Sequence, residues 1–183
     1  MRSLHLVPDA FSSEDCDRLV AIAQENSLSD AGLVKGQTAH SIRRAELCWL
    51  DEVEGAGWAM DQLVRIVAAA NRESFGFDLT EFGESPQIAR YGAEREGHFD
   101  WHSDIGAGHW AAQRKLTIVV QLSDPADYAG GALELRPDSN VFVSPLQRGM
   151  AVLFPSFCLH RVTPVTAGER WSLTLWAHGP AFR

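Results

Sequence analysis

In the stretch GHFDWHSD, residues 97–104, His102 and Asp104 stand two positions apart. That spacing lets both side chains reach the same side of an extended segment. Imidazole and carboxylate together suit divalent iron, and two His with one carboxylate on one face leave positions open for a substrate and for oxygen. The third ligand must come from elsewhere. His160 is the candidate, because it follows the apolar run GMAVLFPSFCL and so stands at the end of a predicted core strand. An HxD triplet alone decides nothing: with seven His in the chain one arises by chance on the order of 0.5 times. His98 with Asp100 is a second triplet in the same segment.

Ten residues after His160, Arg170 opens the strand RWSLTLWA. Alternation puts Arg170, Ser172, Thr174 and Trp176 on one face and Trp171, Leu173 and Leu175 on the other. One face is apolar, and the other carries a guanidinium beside a hydroxyl. The arginine fork matches the two oxygens of a carboxylate, so Arg170 with Ser172 forms a candidate carboxylate clamp. A salt bridge from Arg170 to Glu169 or Glu134 is the structural alternative.

These side chains need a scaffold. Ser12 followed by Asp15 is an N-cap signal, and Cys16, Leu19, Val20 and Ala23 repeat at helical spacing, which predicts a helix over about 13–26. Trp58, Leu63, Val64, Val67 and Ala70 predict a second, ending near 71–76. From Pro86 onward the pattern turns to short strand-like runs, QIARY, KLTIVVQL, ALELR, MAVLF and WSLTLWA, cut by Gly, Pro and Asp. No helix-length segment separates them, which points to antiparallel pairing in a sandwich or jelly roll. Gly130 and Gly131 suggest a tight or bulged approach of the chain, and Asp124 and Asp127 suggest turns. Residues 29–44 read as a surface loop that ends in Arg43 and Arg44, two candidates for facing an anionic substrate.

The chain has 183 residues, 45% of them hydrophobic and 22% charged, which is a globular balance and one domain's worth of core. A formal net charge of −8 gives no support to general affinity for nucleic acid or anionic membrane. Cys16, Cys48 and Cys158 lie far apart, so neither a disulfide framework nor a cysteine zinc site is expected. The start MRSLHLVPDAFSSED lacks an apolar signal region, and no apolar run is long enough to cross a bilayer. A soluble, cytoplasmic protein is the expectation.

Taken in order, Tyr91, Gly97, Phe99, the triplet at 102–104, RKLT at 114–117, GGALEL at 130–135, FPS at 154–156, His160 and GERWSLTLW at 168–176 resemble the iron(II)/2-oxoglutarate dioxygenases of the prolyl 4-hydroxylase-like branch. The resemblance runs over about 86–180. It implies a mainly β fold with flanking N-terminal helices (α+β), a double-stranded β-helix, with 1–80 as helical support and loop, 86–180 as jelly-roll core, and 1–183 as a single domain. It implies Fe(II) held by His102, Asp104 and His160, and 2-oxoglutarate as cosubstrate with its distal carboxylate on Arg170 and Ser172. The family has an aromatic residue three before its ligand histidine. Phe99 fits His102, whereas Arg95 stands there for His98, which becomes a cleft or surface residue. Tyr91 matches a tyrosine that donates to the cosubstrate. Gln121 stands near the place where some members carry an aromatic hydroxyl.

The implied reaction is hydroxylation of an unactivated C–H bond, with succinate and carbon dioxide as coproducts and ascorbate keeping the iron ferrous. The substrate is a peptidyl residue or a small molecule, not nucleic acid and not a membrane. Trp101 and Trp110 are candidate cleft walls as well as candidate packing residues. Trp101, His98, Arg43 and Arg44 are the substrate-side candidates. His109 and His178 read as solvated, and Cys158 as a small packed residue. Two alternatives stay open: a cupin-like metalloenzyme that does no oxidation, and a non-catalytic sensor that binds 2-oxoglutarate.

Overall fold

Ser12 caps the first helix as its sequence requires: its hydroxyl accepts the Asp15 N–H at 3.0 Å while the Asp15 carboxylate accepts the Ser12 N–H at 3.1 Å. The computed structural model describes residues 3–31, 33–34, 37–38 and 41–182. Helix α1 (Ser13–Glu25) buries Cys16, Leu19 and Ala23. Helix α2 (Gly57–Ala70) buries Ala59, Leu63, Val67 and Ala70. It runs into a wide turn, Asn71–Phe75, that stops at Gly76 in the left-handed region, φ 67°. A short helix α3 (His109–Gln113) comes later.

Among the described residues the strands are β1 (His5–Val7), β2 (Ser29–Asp30), β3 (Leu33–Val34), β4 (Gln37–Thr38), β5 (Arg43–Arg44), β6 (Glu46–Trp49), β7 (Gln87–Gly92), β8 (His98–His102), β9 (Arg114–Gln121), β10 (Tyr128–Gly130), β11 (Leu133–Arg136), β12 (Phe142–Val143), β13 (Ala151–Pro155), β14 (Leu159–Val162) and β15 (Val165–His178). The larger sheet has the order β1-β13-β9-β15-β7-β6-β2, with β10 joined to β15. The smaller has the order β12-β11-β14-β8-β5. All their pairings are antiparallel. This is a jelly roll, and each of the five predicted strand runs forms one of its strands.

Two apolar cores hold the layers. Leu19, Leu63 and Val67 of the helices pack with Ile88, Leu116, Ile118, Leu153, Leu173 and Leu175 on the outer face of the larger sheet. Between the sheets, Leu47, Val119, Val152 and Phe154 meet Leu133, Leu135 and Val162. Strand β15 serves both layers. Its odd positions, Trp171, Leu173 and Leu175, enter the helix-side core, and its even positions, Arg170 to Trp176, line a cavity between the sheets.

The first 80 residues do more than support. They contribute β1 and β6 to the larger sheet and β5 to the smaller, so the expected loop over 29–44 is corrected at both ends. Ser29–Asp30 pairs with β6, and Arg43–Arg44 pairs with Phe99 and His98 of β8. Strands β3 and β4 pair with each other, while Gly32, Lys35, Gly36, Ala39 and His40 lie outside the described residues. The partners of Arg43 and Arg44 are distant in sequence, so local periodicity does not reveal that pairing.

Candidate metal centre and cosubstrate cavity

Strand β8 carries a bulge. His160 of β14 pairs with His102 and Val162 with Phe99, so three steps on β8 match two on β14. Strict alternation would send Phe99 and His102 to opposite faces. The extra residue brings both to the cavity, where the two rings stack with centroids 3.4 Å apart and planes 13° from parallel. The carbonyl of Asp100, inside the bulge, lies 2.7 Å from His102 Nδ1. This is the physical reason for an aromatic residue three before the histidine.

The carbonyl of Cys158 holds His160 in the same way, 3.0 Å from Nδ1. A carbonyl oxygen only accepts, so each Nδ1 carries the hydrogen and each Nε2 presents a lone pair. Both Nε2 atoms face Asp104: His102 Nε2 lies 3.6 Å from Oδ1 and His160 Nε2 3.6 Å from Oδ2. One donor atom from each of the three residues lies within 4.8 Å of the others. Two imidazole lone pairs and a carboxylate converging in this way fit a divalent cation of the iron type.

Asp104 sits just past β8, and its backbone N–H donates to the Ser156 carbonyl at 2.9 Å. The Thr117 hydroxyl donates to Oδ2 at 2.7 Å and lies 3.1 Å from Ser156 Oγ. Burial alone would raise the Asp104 pKa, but the two histidines and the Thr117 bond outweigh it and hold the carboxyl below its usual range. His102 is pushed down to about 4 by burial, with His160 adding to the effect and Asp104 opposing it. The imidazole is therefore neutral, as a metal ligand must be.

The cavity has a volume of about 450 Å³, and it holds the three candidate ligands together with Tyr91, Thr117, Arg170, Ser172, Thr174 and Trp176. Arg170 is 2% exposed. Neither acid proposed as its ion-pair partner takes it: Glu169 pairs with Arg90 and Glu134 with Arg161. Its Nε donates to Gln121 Oε1 at 3.1 Å, while Nη1 is buried with no hydrogen-bond partner among the described residues. Burial pushes the guanidinium pKa down, and the nearby Tyr91 and Tyr128 act against that shift. A buried cation with an unsatisfied donor is costly unless an anion arrives. The feature fits a bound carboxylate.

Gln121 does not stand alone where an aromatic hydroxyl was expected. Its Nε2 donates to the Tyr128 hydroxyl at 2.8 Å, so a phenol from β10 reaches the place that the strand β9 residue leaves open. Gly131 permits the approach. At φ 61°, a Cβ there would come 3.0 Å from Arg170 Cδ and 3.4 Å from the Tyr128 ring. Tyr128 was missed in the sequence; the glycine pair two and three residues after it is the signal that marks the close approach.

Of the four substrate-side candidates, only Arg43 lines the cavity. Its guanidinium lies over the Phe99 ring, 4.5 Å from the centroid, with Nε buried and unpartnered among the described residues. The structure does not bring the other three there. Trp101 lies between the guanidinium groups of Arg136 and Arg161, 4.5 and 4.9 Å from its ring. His98 places its ring nitrogens 2.8 Å from the Glu96 carbonyl and 3.2 Å from that of Ser41. Arg44 pairs with Glu96 at 2.9 Å. Trp110 packs edge-on against His178, 5.3 Å between centroids, and is not a cavity wall. His178, expected in solvent, is fully buried with Nε2 2.9 Å from Glu84 Oε2.

The sequence profile of the 2OG-Fe(II) oxygenase superfamily matches residues 86–178. A PKHD-type hydroxylase of Nitrosomonas europaea is 33% identical over 172 residues, spanning 90% of this chain and 73% of that protein. Among solved structures, a prolyl-4-hydroxylase of Pseudomonas putida superposes with a TM-score of 0.77 at 21% identity, covering 99% of this chain and 95% of that one. A Trichoplax adhaerens prolyl hydroxylase, solved with a peptide fragment of the hypoxia inducible factor oxygen degradation domain, gives 0.79 at 19% identity and covers 96% and 83%. The chain belongs to the 2OG-Fe(II) oxygenase superfamily. It is an oxidoreductase of the dioxygenase type that uses Fe(II) and 2-oxoglutarate, and the non-oxidative cupin-like alternative falls away.

Proposed function

We propose that this chain hydroxylates a C–H bond of a peptidyl residue or a small molecule, with His102, Asp104 and His160 holding Fe(II) and Arg170 receiving the far carboxylate of 2-oxoglutarate. The observation that carries the reading is a buried Arg170, its Nη1 without a hydrogen-bond partner among the described residues, in the same cavity as three converging candidate ligand atoms. When bound, the iron with its cosubstrate supplies oxidative decarboxylation of 2-oxoglutarate to succinate and carbon dioxide coupled to insertion of oxygen into the substrate.

The protein's own contribution is orientation and exclusion of water. The carbonyls of Asp100 and Cys158 fix the two imidazole tautomers, and Thr117 fixes the carboxylate. Ser172 and Tyr91, both buried on the cavity wall, offer hydroxyls to the cosubstrate. Gln121 and Tyr128 keep the Arg170 fork aligned. Arg43, stacked on Phe99 beside His102, offers its donors to a carbonyl or carboxylate of the substrate. A peptide is favoured by the peptide held in the Trichoplax neighbour.

Residues 1–183 act in this reading as one domain, since helix and sheet residues share one core. The three cysteines are free thiols, which suits a reducing, cytoplasmic setting in which ascorbate keeps the iron ferrous. No helix among the described residues is long and apolar enough to cross a membrane.

The test is anaerobic addition of Fe(II) and 2-oxoglutarate to the metal-free protein, followed by visible absorbance. A weak metal-to-ligand charge-transfer band is expected. His102→Ala should abolish it and Arg170→Ala should shift its appearance to much higher 2-oxoglutarate. An unchanged band in His102→Ala overturns the ligand assignment.

A further inference from the structure

Asp104 lies beyond the end of β8, outside any strand ladder, so its backbone depends on individual bonds. Its N–H is held by Ser156. Its carbonyl accepts from Arg114 Nη1 at 3.0 Å. The other two nitrogens of that guanidinium are held by one carboxylate: Nε donates to Glu84 Oε2 at 2.6 Å and Nη2 donates to Glu84 Oε1, while Cζ lies 4.0 Å from the Trp176 ring centroid.

Glu84 is itself held from behind. The Gly83 N–H donates to His178 Nδ1 at 3.2 Å, so Nε2 carries the hydrogen of the ring and donates to Glu84 Oε2 at 2.9 Å. His178 is fully buried, and Trp110 closes the assembly so tightly that a Cβ at Gly83 would fall 2.0 Å from its ring. Burial opposes the charge on Glu84, but Arg114 and His178 prevail and keep its pKa low.

We propose that Glu84 and His178 hold Arg114 as a positioning residue for the Asp104 loop, setting the carboxylate for metal binding and withholding this cavity cation from substrate. The geometry requires an arginine. A lysine has one point charge and cannot span the Glu84 carboxylate and the Asp104 carbonyl at once. The inference rests on the metal reading of the site given above.

The experiment measures Co(II) dissociation constants of the full chain by calorimetry, for the wild type, Arg114→Lys, Glu84→Gln and the double variant. Each single variant should weaken Co(II) about tenfold, the range seen when a partner behind a metal ligand is lost. The double variant should lose less than the product of the two, because both act through one loop. Loss of packing alone would lower the melting temperature and leave the Co(II) constant of the folded protein unmoved. Constants within twofold of wild type, or losses that multiply, overturn the proposal. If Arg114→Lys does not fold, Glu84→Gln decides alone. A wild type that takes up no Co(II) removes the metal reading itself, whereas wild-type binding with unaffected variants removes only the clamp.

Discussion

His160 and His102 are direct partners across two antiparallel strands, with ring centroids 4.1 Å apart. Burial, with the closeness of His160 adding to it, depresses the His102 pKa to about 4, against about 6.5 for an unperturbed histidine. Between those values the unfolded chain binds a proton that the folded chain refuses. Stability of the metal-free protein is therefore complete above about pH 6.5 and is lost as pH falls toward 4, by up to about 3 kcal/mol. The lowered pKa of Asp104 acts only further down, below the unfolded carboxylate value. Urea midpoints at pH 7.5 and 4.5 check this. His102→Gln should lose much less between the two pH values than wild type, and an equal loss would refute the assignment.

Thr117→Val preserves the shape of a β-branched residue in β9 and removes the hydroxyl that Asp104 accepts from. Metal affinity should fall about tenfold, read as the Co(II) dissociation constant. Ser156→Ala, which removes only the outer member of the pair, should have a smaller effect. The reverse ranking would mean that Thr117 does not orient the ligand.

Tyr128→Phe tests the arm behind Arg170. Losing one hydrogen bond in a network that ends on a charged group is worth about 1.4 kcal/mol, so half-saturation by 2-oxoglutarate should rise about tenfold with Co(II) affinity unchanged. Titration of the charge-transfer band with 2-oxoglutarate measures it. An unaltered titration would mean that the phenol is only packing.

Leu19→Ala opens a cavity where α1 meets the larger sheet, because Leu19 is fully buried there. The expected cost is about 2–5 kcal/mol of stability, measured by denaturant unfolding. The site lies on the other face of that sheet, so the folded variant should keep wild-type Co(II) affinity.

Much of this was readable from residue types and spacing. Ser12 with Asp15 marks a helix start because the capping chemistry is local, and the alternation from Arg170 to Trp176 assigns two faces because a strand has a period of two. The three candidate ligands were legible as residues that the fold brings together. What local pattern could not reveal was decided by partners far away. Arg43 and Arg44 become a strand only because Phe99 and His98 offer an edge. His178 is buried against Glu84, 94 residues before it, and Tyr128 comes to Gln121 and Arg170 through the room left at Gly131. The bulge in β8 was visible only as a family habit, an aromatic residue three before the histidine, until the pairing with β14 supplied its cause.

Strand β15 packs on helices with one side and lines the cavity with the other, on a single ribbon of fourteen residues. A slip of one position would exchange Arg170 for Trp171 and place charge in the oily layer while taking the guanidinium out of the cavity. Such a chain would fail to assemble and fail to react together. For this molecule, acquiring the native arrangement and acquiring chemical competence are the same event, and a population of half-working misfolds is not to be expected.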